Sequence, residues 1–358
     1  MVESQLSLRD YIQKVTKEIM ALDSYKHITQ KEVAKEAGVS LSAVSRTFTE
    51  GASVSPSTKK KVMEAAKVLG YKPNILAQSL MTNRTWLIGL VNSNFENPFL
   101  IQVFDLVTRE LQARNYRSLF ENLTEKSDPE EVLERLLQYR VDGVLFISSV
   151  LPTVFAEVCT KAKLPSAIMF GRGHVNGLIN TITADNYGGA SIGAELLLDA
   201  NYKNIAFLGG PKNATTTIDR KQSLINTLSE HGQSLATITH CDVYSYEEGR
   251  KQSLALLQAH PEIDAIFCGD DILAIAAIDS ARELGRKCPE DIGVLGFNDM
   301  PMASWGAYNL TTIKQPIEEM VSAAVDVIIA QIENPQRGIE TRILTCKAIE
   351  RGTLKAQG

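Results

Sequence analysis

Leu41, Ser42, Ser45 and Arg46 combine an apolar group, two hydroxyls and a guanidinium at spacings that put all four on one face of a helix. Such a set is suited to reading nucleic-acid base edges. A guanidinium grips guanine by two bonds, hydroxyls serve several bases, and an apolar group meets the thymine methyl. The stretch that must position them runs from Ile28 to Phe48, ITQKEVAKEAGVSLSAVSRTF. Thr29 followed by Glu32 is a capping box that starts one helix, with Val33, Ala34 and Ala37 as its small apolar face. Gly38 supplies an open turn, and Ser40 caps a second helix whose buried face is Ala43, Val44 and Thr47 or Phe48. This is the pattern of a helix-turn-helix, whose second helix enters the major groove by its N-terminal end. An ordinary antiparallel helix pair is the plainer reading of the same spacing. Ser55-Pro56 then opens a third helix, closed by Gly70 and carrying Lys59, Lys60, Lys61 and Lys67, where contact with phosphates is expected. A short segment from Pro73 to Met81 follows, too short to hold a helix by itself in water.

AVSR, then VSPSTKKKV, then GYKPN and the Ala77 to Leu80 spacing together resemble the headpiece and hinge of the lactose/galactose repressor (LacI/GalR) family of transcription regulators. The resemblance implies that the hinge orders on operator DNA, with Leu80 wedged into the minor groove and Ala77 beside it. The residues expected at DNA are therefore Thr29, Ser40, Leu41, Ser42, Ser45, Arg46, Ala77 and Leu80.

From Trp86 the pattern changes to alternating strands and helices, which implies parallel sheets wrapped by helices. Strands are expected over Leu87 to Val91, Arg117 to Phe120, Gly143 to Ile147, Ile205 to Leu208, Ala265 to Cys268 and Ile292 to Gly296. Helices are expected over Pro98 to Arg114, Pro129 to Tyr139, from Ile218, over Glu247 to Ala259 and from Asp271. Two doubly wound lobes result, with a ligand site beyond the carboxyl ends of their strands. TADN at 183–186, LGGP at 208–211, GFNDMPMASW and LTTIKQP extend the resemblance over the chain after residue 27, and imply a core like that of periplasmic sugar-binding proteins. The chain is expected to cross between lobes near Phe170 and again near Phe297 to Tyr308. The resemblance places an effector against Phe99, Arg172, Arg220, Tyr244, Asp270 and Asn298. For Asp270 a helix-capping role is an equal alternative. Family members often carry an acid where this chain has Asn298, and an amide adds donors there. If Arg172 and Arg220 both face the cleft, an anionic sugar derivative becomes attractive.

The organisation expected is an extension over 1–26 with helically spaced apolar residues, a headpiece over 27–72, a hinge over 73–84 and a two-lobed core over 85–358. Charge divides in the same way. Residues 26–84 hold ten Lys or Arg and four Asp or Glu, a net +6, while 85–358 hold 24 and 34, a net −10. A basic module on an acidic body points to nucleic-acid binding by the small part. The five cysteines show no paired metal spacing, so buried reduced thiols are expected and neither metal nor cofactor is. With no membrane-length apolar run and no signal-peptide core, a cytoplasmic bacterial protein is expected. Its partners would be near-palindromic operator DNA, a sugar or sugar acid, and a second copy in a homodimer. A sugar-processing enzyme fits poorly, since the five histidines are dispersed and no nucleophile elbow occurs. A stand-alone sugar-binding protein would share the core and lack Ile28 to Leu80.

Overall fold

The computed structural model describes residues 28–49, 51–72, 84–92, 95–123, 128–150, 152–171 and 177–356. Arg172, Ala77, Leu80 and the 1–26 extension lie outside them. The described residues fall into two compact units that divide between Thr85 and Trp86.

In the first unit, α1 (Gln30–Ala37), α2 (Leu41–Thr47) and α3 (Pro56–Leu69) enclose a small core. The capping box is formed in full: Glu32 N–H donates to Thr29 Oγ1, and Thr29 N–H donates to Glu32 Oε2 at 2.7 Å. Gly38 sits at φ +64, a backbone setting that favours a residue without Cβ, and so turns α1 into α2. Ser40 and Ser55 cap the next two helices through their hydroxyls. Val33, Val44 and Val62, one from each helix, are fully buried. Of the face expected for α2 only Val44 is; Ala43, Thr47 and Phe48 are half-buried, because so short a helix is flanked rather than enclosed by its partners.

The second unit holds two six-stranded sheets. The first has the order β11-β5-β4-β3-β1-β2, built from β1 (Leu87–Asn92), β2 (Arg117–Asn122), β3 (Gly143–Ser148), β4 (Ser166–Phe170), β5 (Asn180–Ala184) and β11 (Thr341–Leu344). The second has the order β12-β10-β9-β8-β6-β7, from β6 (Ile205–Gly209), β7 (Thr237–His240), β8 (Ala265–Cys268), β9 (Gly293–Asn298), β10 (Thr311–Lys314) and β12 (Lys347–Ile349). All pairings are parallel except β10 with β12. In the first lobe α4 (Pro98–Ala113), α5 (Pro129–Gln138) and α6 (Thr153–Lys161) connect successive strands. In the second, α7 (Asn186–Asp199), α8 (Thr215–Glu230), α9 (Tyr246–Ala259) and α10 (Asp271–Glu283) precede or join them. The helix α11 (Ile317–Glu333) returns to pack on β3, β4, β5 and α4 of the first lobe.

The crossings differ from expectation in place and number. The chain changes lobe after β5 at Asp185, after β10 at Gln315-Pro316, and between β11 and β12. Phe170 instead ends β4 inside the first lobe, and Phe297 to Tyr308 stays inside the second. The strand NTITA that separates Phe170 from the true crossing is short and threonine-rich, so it carries little apolar signal. Two helices begin earlier than expected. The threonines at 215–217 form the first turn of α8, and Ser245 caps α9 from Tyr246. Conversely β9 runs on to Asn298, two residues past the expected end. No helix among the described residues is long and apolar enough to cross a membrane.

The helix α7 lies close on the second sheet because its sequence is NYGGASIGAELLLD. A Cβ at Gly193 would stand 2.6 Å from the Phe267 ring and 2.8 Å from the Leu295 side chain, both fully buried. Alanine is the better helix former by about 1 kcal/mol, yet overpacking a closed core costs about 1–3 kcal/mol. Packing should win: Gly193→Ala is expected to lower stability in chemical denaturation of the full chain, and an unchanged or raised denaturation midpoint would refute the close-packing role.

Candidate functional site

The first candidate surface is the exposed face of α2. Leu41, Ser42 and Arg46 are exposed there and Ser45 is half-buried. Arg46 Nε–H donates to the Ser42 carbonyl at 3.2 Å, which lays the side chain along the helix toward its N-terminal end. Ser40 and Ser42 share a hydroxyl hydrogen bond of 2.9 Å. Thr29 and Ser40 are exposed although their oxygens also cap helices, and Lys59, Lys60, Lys61 and Lys67 are exposed on α3. Every expected DNA-contacting residue among the described ones is thus on or near the surface of one small unit.

The second candidate is a cavity of about 320 Å³ between the carboxyl ends of the two parallel sheets, lined from both lobes. From the first lobe come Asn92 at the end of β1, Asn97 and Phe99 at the start of α4, and Phe170 at the end of β4. From the second come Arg220, Tyr244, Asp270, Asn298 and Gln315. Five of the six expected effector residues therefore meet at one cavity, and the sixth, Arg172, lies outside the described residues.

Polar groups here are nearly all spoken for. Arg220 is 3 % exposed, in the second turn of α8. Its Nε–H donates to Asn186 Oδ1 at 2.9 Å, its Nη1 donates to the Gly269 carbonyl, and its guanidinium lies 3.6 Å from the centre of the Phe297 ring. Burial makes this guanidinium a weaker base than usual, opposed by nearby Tyr244 and Asp270. Asp270 caps α10, one of the two roles weighed for it, and stands on the cavity wall. Its Oδ1 caps α10 by accepting from Ile272 N–H at 2.9 Å. Its Oδ2 accepts from Asn97 Nδ2 at 2.9 Å and Asn298 Nδ2 at 2.8 Å. Asn298 in turn accepts from Gln315 Nε2 at 2.6 Å. The Tyr244 hydroxyl pairs with Thr217 Oγ1 at 2.8 Å, and burial pushes its pKa up, keeping the phenol neutral. Phe99 and Phe170 meet edge to face with centres 5.3 Å apart. Phe170 at φ +75 and Asn298 at φ +126 both end strands in a backbone setting unfavourable to side chains, a form of strain that collects at binding sites.

Asn92, Asn97 and Gln315 were not among the expected site residues. The signal for Asn97 was legible as an N-cap before Pro98. Gln315 occupies the crossing after β10, and Asn92 is the polar residue that ends an otherwise apolar strand. No histidine among the described residues lines the cavity, and Asp270 already accepts three hydrogen bonds.

Burial pushes the Asp270 carboxyl up to about 6 and that of its neighbour Asp271 up to about 7. Asp271 lies off the cavity wall and accepts from Thr312 Oγ1 and Met300 N–H. An unfolded aspartate releases its proton near 3.8, so between there and about 7 the folded chain holds protons that the unfolded chain has lost. Stability from these two groups therefore falls as pH rises through that window. Urea midpoints at pH about 5 and about 8 should differ less in Asp270→Asn than in the native chain, and equal differences would contradict the assignment.

Residues 29–74 match the model of bacterial regulatory proteins of the lacI family, and residues 194–354 match the periplasmic binding protein-like domain. The chain is 30% identical over 328 residues to the ribose operon repressor of Halalkalibacterium halodurans, covering 91% of this chain and 97% of that one. It is 29% identical over 327 residues to the HTH-type transcriptional repressor PurR of Photorhabdus laumondii, covering 90% and 96%. Among solved structures, a Lac repressor bound to ONPG in the repressed state superimposes with a TM-score of 0.81 at 25% identity, over 92% of this chain and 100% of that one. A complex of the transcriptional regulator CelR with cellobiose gives 0.70 at 25% identity, over 91% and 99%. With the helix-turn-helix, the two parallel-sheet lobes and the cavity between them in place, the chain belongs to the bacterial LacI family and is a DNA-binding transcriptional regulator rather than an enzyme.

Proposed function

We propose that the cavity takes a sugar or sugar derivative as effector, and that its occupancy sets the affinity of the headpiece for a near-palindromic operator through the hinge over 73–84. The observation that carries this reading is the buried hydrogen bond from Asn97 of the first lobe to Asp270 of the second, at the wall of the cavity. A ligand seated there touches both lobes at once and so favours one arrangement of them over another. The relatives support the chemical class: one regulates a ribose operon, and two similar structures hold cellobiose or ONPG.

Base reading falls to Leu41, Ser42, Ser45 and Arg46, with Thr29 and Ser40 at the phosphates and Leu80 with Ala77 in the minor groove. Arg172, Arg220, Tyr244, Phe99, Asp270 and Asn298 hold the effector. The regulator acts in the bacterial cytoplasm as a homodimer, which a two-fold operator requires. Exposed Phe95, Ile101 and Phe120 around Phe104 in the first lobe, and Trp305 in the second, are apolar surface suited to a second copy.

A thermal-shift screen with sugars, sugar acids and sugar phosphates tests the effector. One class should raise Tm by mass action, and Arg220→Ala should remove the rise; a purified protein that binds DNA yet responds to none of them would rule the class out. Arg46→Ala should cost about 1–3 kcal/mol of operator binding and relax base preference at one symmetric position per half-site. Binding-site selection with an unaltered preference would remove Arg46 from the reading set.

A further inference from the structure

Asn92 closes β1 at its carboxyl end, where parallel sheets of this kind receive their ligands. The strand is otherwise LIGLV, fully apolar, and Asn92 itself is 1 % exposed on the wall of the cavity. Neither its Nδ2 nor its Oδ1 meets a hydrogen-bond partner among the described residues. A buried amide with both ends unmade is a standing loss of stability that a leucine would not incur. Around it the neighbouring amides are engaged: Asn97 and Asn298 on Asp270, and Gln315 on Asn298.

We propose that Asn92 is the side chain that reads the bound molecule from the first lobe, and that this molecule is a small uncharged polyhydroxylated ring, a monosaccharide. The inference rests on the cavity being the effector site. Adjacent hydroxyls each donate and accept, so one pair satisfies both ends of the amide. Rotation about its last torsion, a broad one, turns the amide to a ring seated against β1. Among the described lining residues Arg220 is the one cation, and two carboxylates, Asp242 and Asp270, line the same cavity. With Arg172 of the proposed effector set the two signs balance, so an added anion gains no net attraction and a neutral ligand is accommodated. The volume of about 320 Å³ is at the small end for ligand pockets, which suits a single ring. Phe99, set edge to face on Phe170, offers an apolar wall for the C–H face of such a ring.

The test uses the full chain and Asn92→Leu, with D-ribose, D-glucose, D-galactose, cellobiose, gluconate and adenine as probes. Without any probe, the variant should melt about 2 °C or more above the native chain, because the unmade amide is gone. With a monosaccharide that shifts the native chain, the variant should bind at least tenfold more weakly by calorimetry. An unliganded variant that melts lower shows the amide to be structural and overturns the proposal. Equal monosaccharide affinity in both proteins overturns it too, while leaving the sugar-effector reading intact. A native chain shifted by cellobiose, gluconate or adenine in place of a monosaccharide overturns the ligand class. A native chain shifted by no probe overturns the ligand class, and the sugar-effector reading falls with it when the sugar phosphates of the wider screen also give no shift.

Discussion

The N-terminus of α10 is where the two lobes are made to depend on each other. Asp270 and Asp271 stand side by side there, both out of water, and each is tolerable only because polar hydrogens converge on it. Asp271 fastens the crossing strand through Thr312 and the turn after β9 through Met300. Asp270 reaches over the cavity to Asn97. Removing water from the cavity strengthens these bonds, so the carboxylate acts as a clasp between the lobes.

Energy supplied at that clasp can alter DNA binding only to the extent that the effector distinguishes two arrangements of the lobes. The same factor must then appear in reverse, with DNA altering effector affinity. The amide chain from Gln315 through Asn298 to Asp270 and Asn97 gives a physical basis for discrete alternatives, because buried hydrogen bonds are either made or lost and do not stretch gradually. Gln315 occupies one of the crossings between lobes, so this chain of bonds ends on a segment that joins them.

Local rules were the ones most legible in the sequence. Thr29 with Glu32, Gly38, Ser40 and Ser55-Pro56 each act within a few residues, and the structure uses each as its chemistry demands. The alternation of strands and helices revealed the two-lobed architecture because parallel strands buried on both faces are continuous apolar runs. Crossings were misplaced because they depend on which distant strand a segment pairs with, and NTITA looks like loop until β4 and β11 flank it. At the cavity, aromatic and charged residues drew notice, whereas Asn92, Asn97 and Gln315 did not. Asn298 was legible only by comparison with the family's acid, and only three-dimensional accounting of an amide's partners shows whether it is satisfied.

The threefold crossing has a consequence for how the protein comes into being. The first sheet gains its edge strand β11 only at Thr341–Leu344, and the second gains β12 only at Lys347–Ile349, so neither lobe is a contiguous piece of chain. During synthesis the headpiece, with its own small core, is complete hundreds of residues before either lobe can close. The part that recognises DNA therefore exists on the nascent chain before the part that governs it, and the regulator becomes answerable to its effector only as the last strands leave the ribosome.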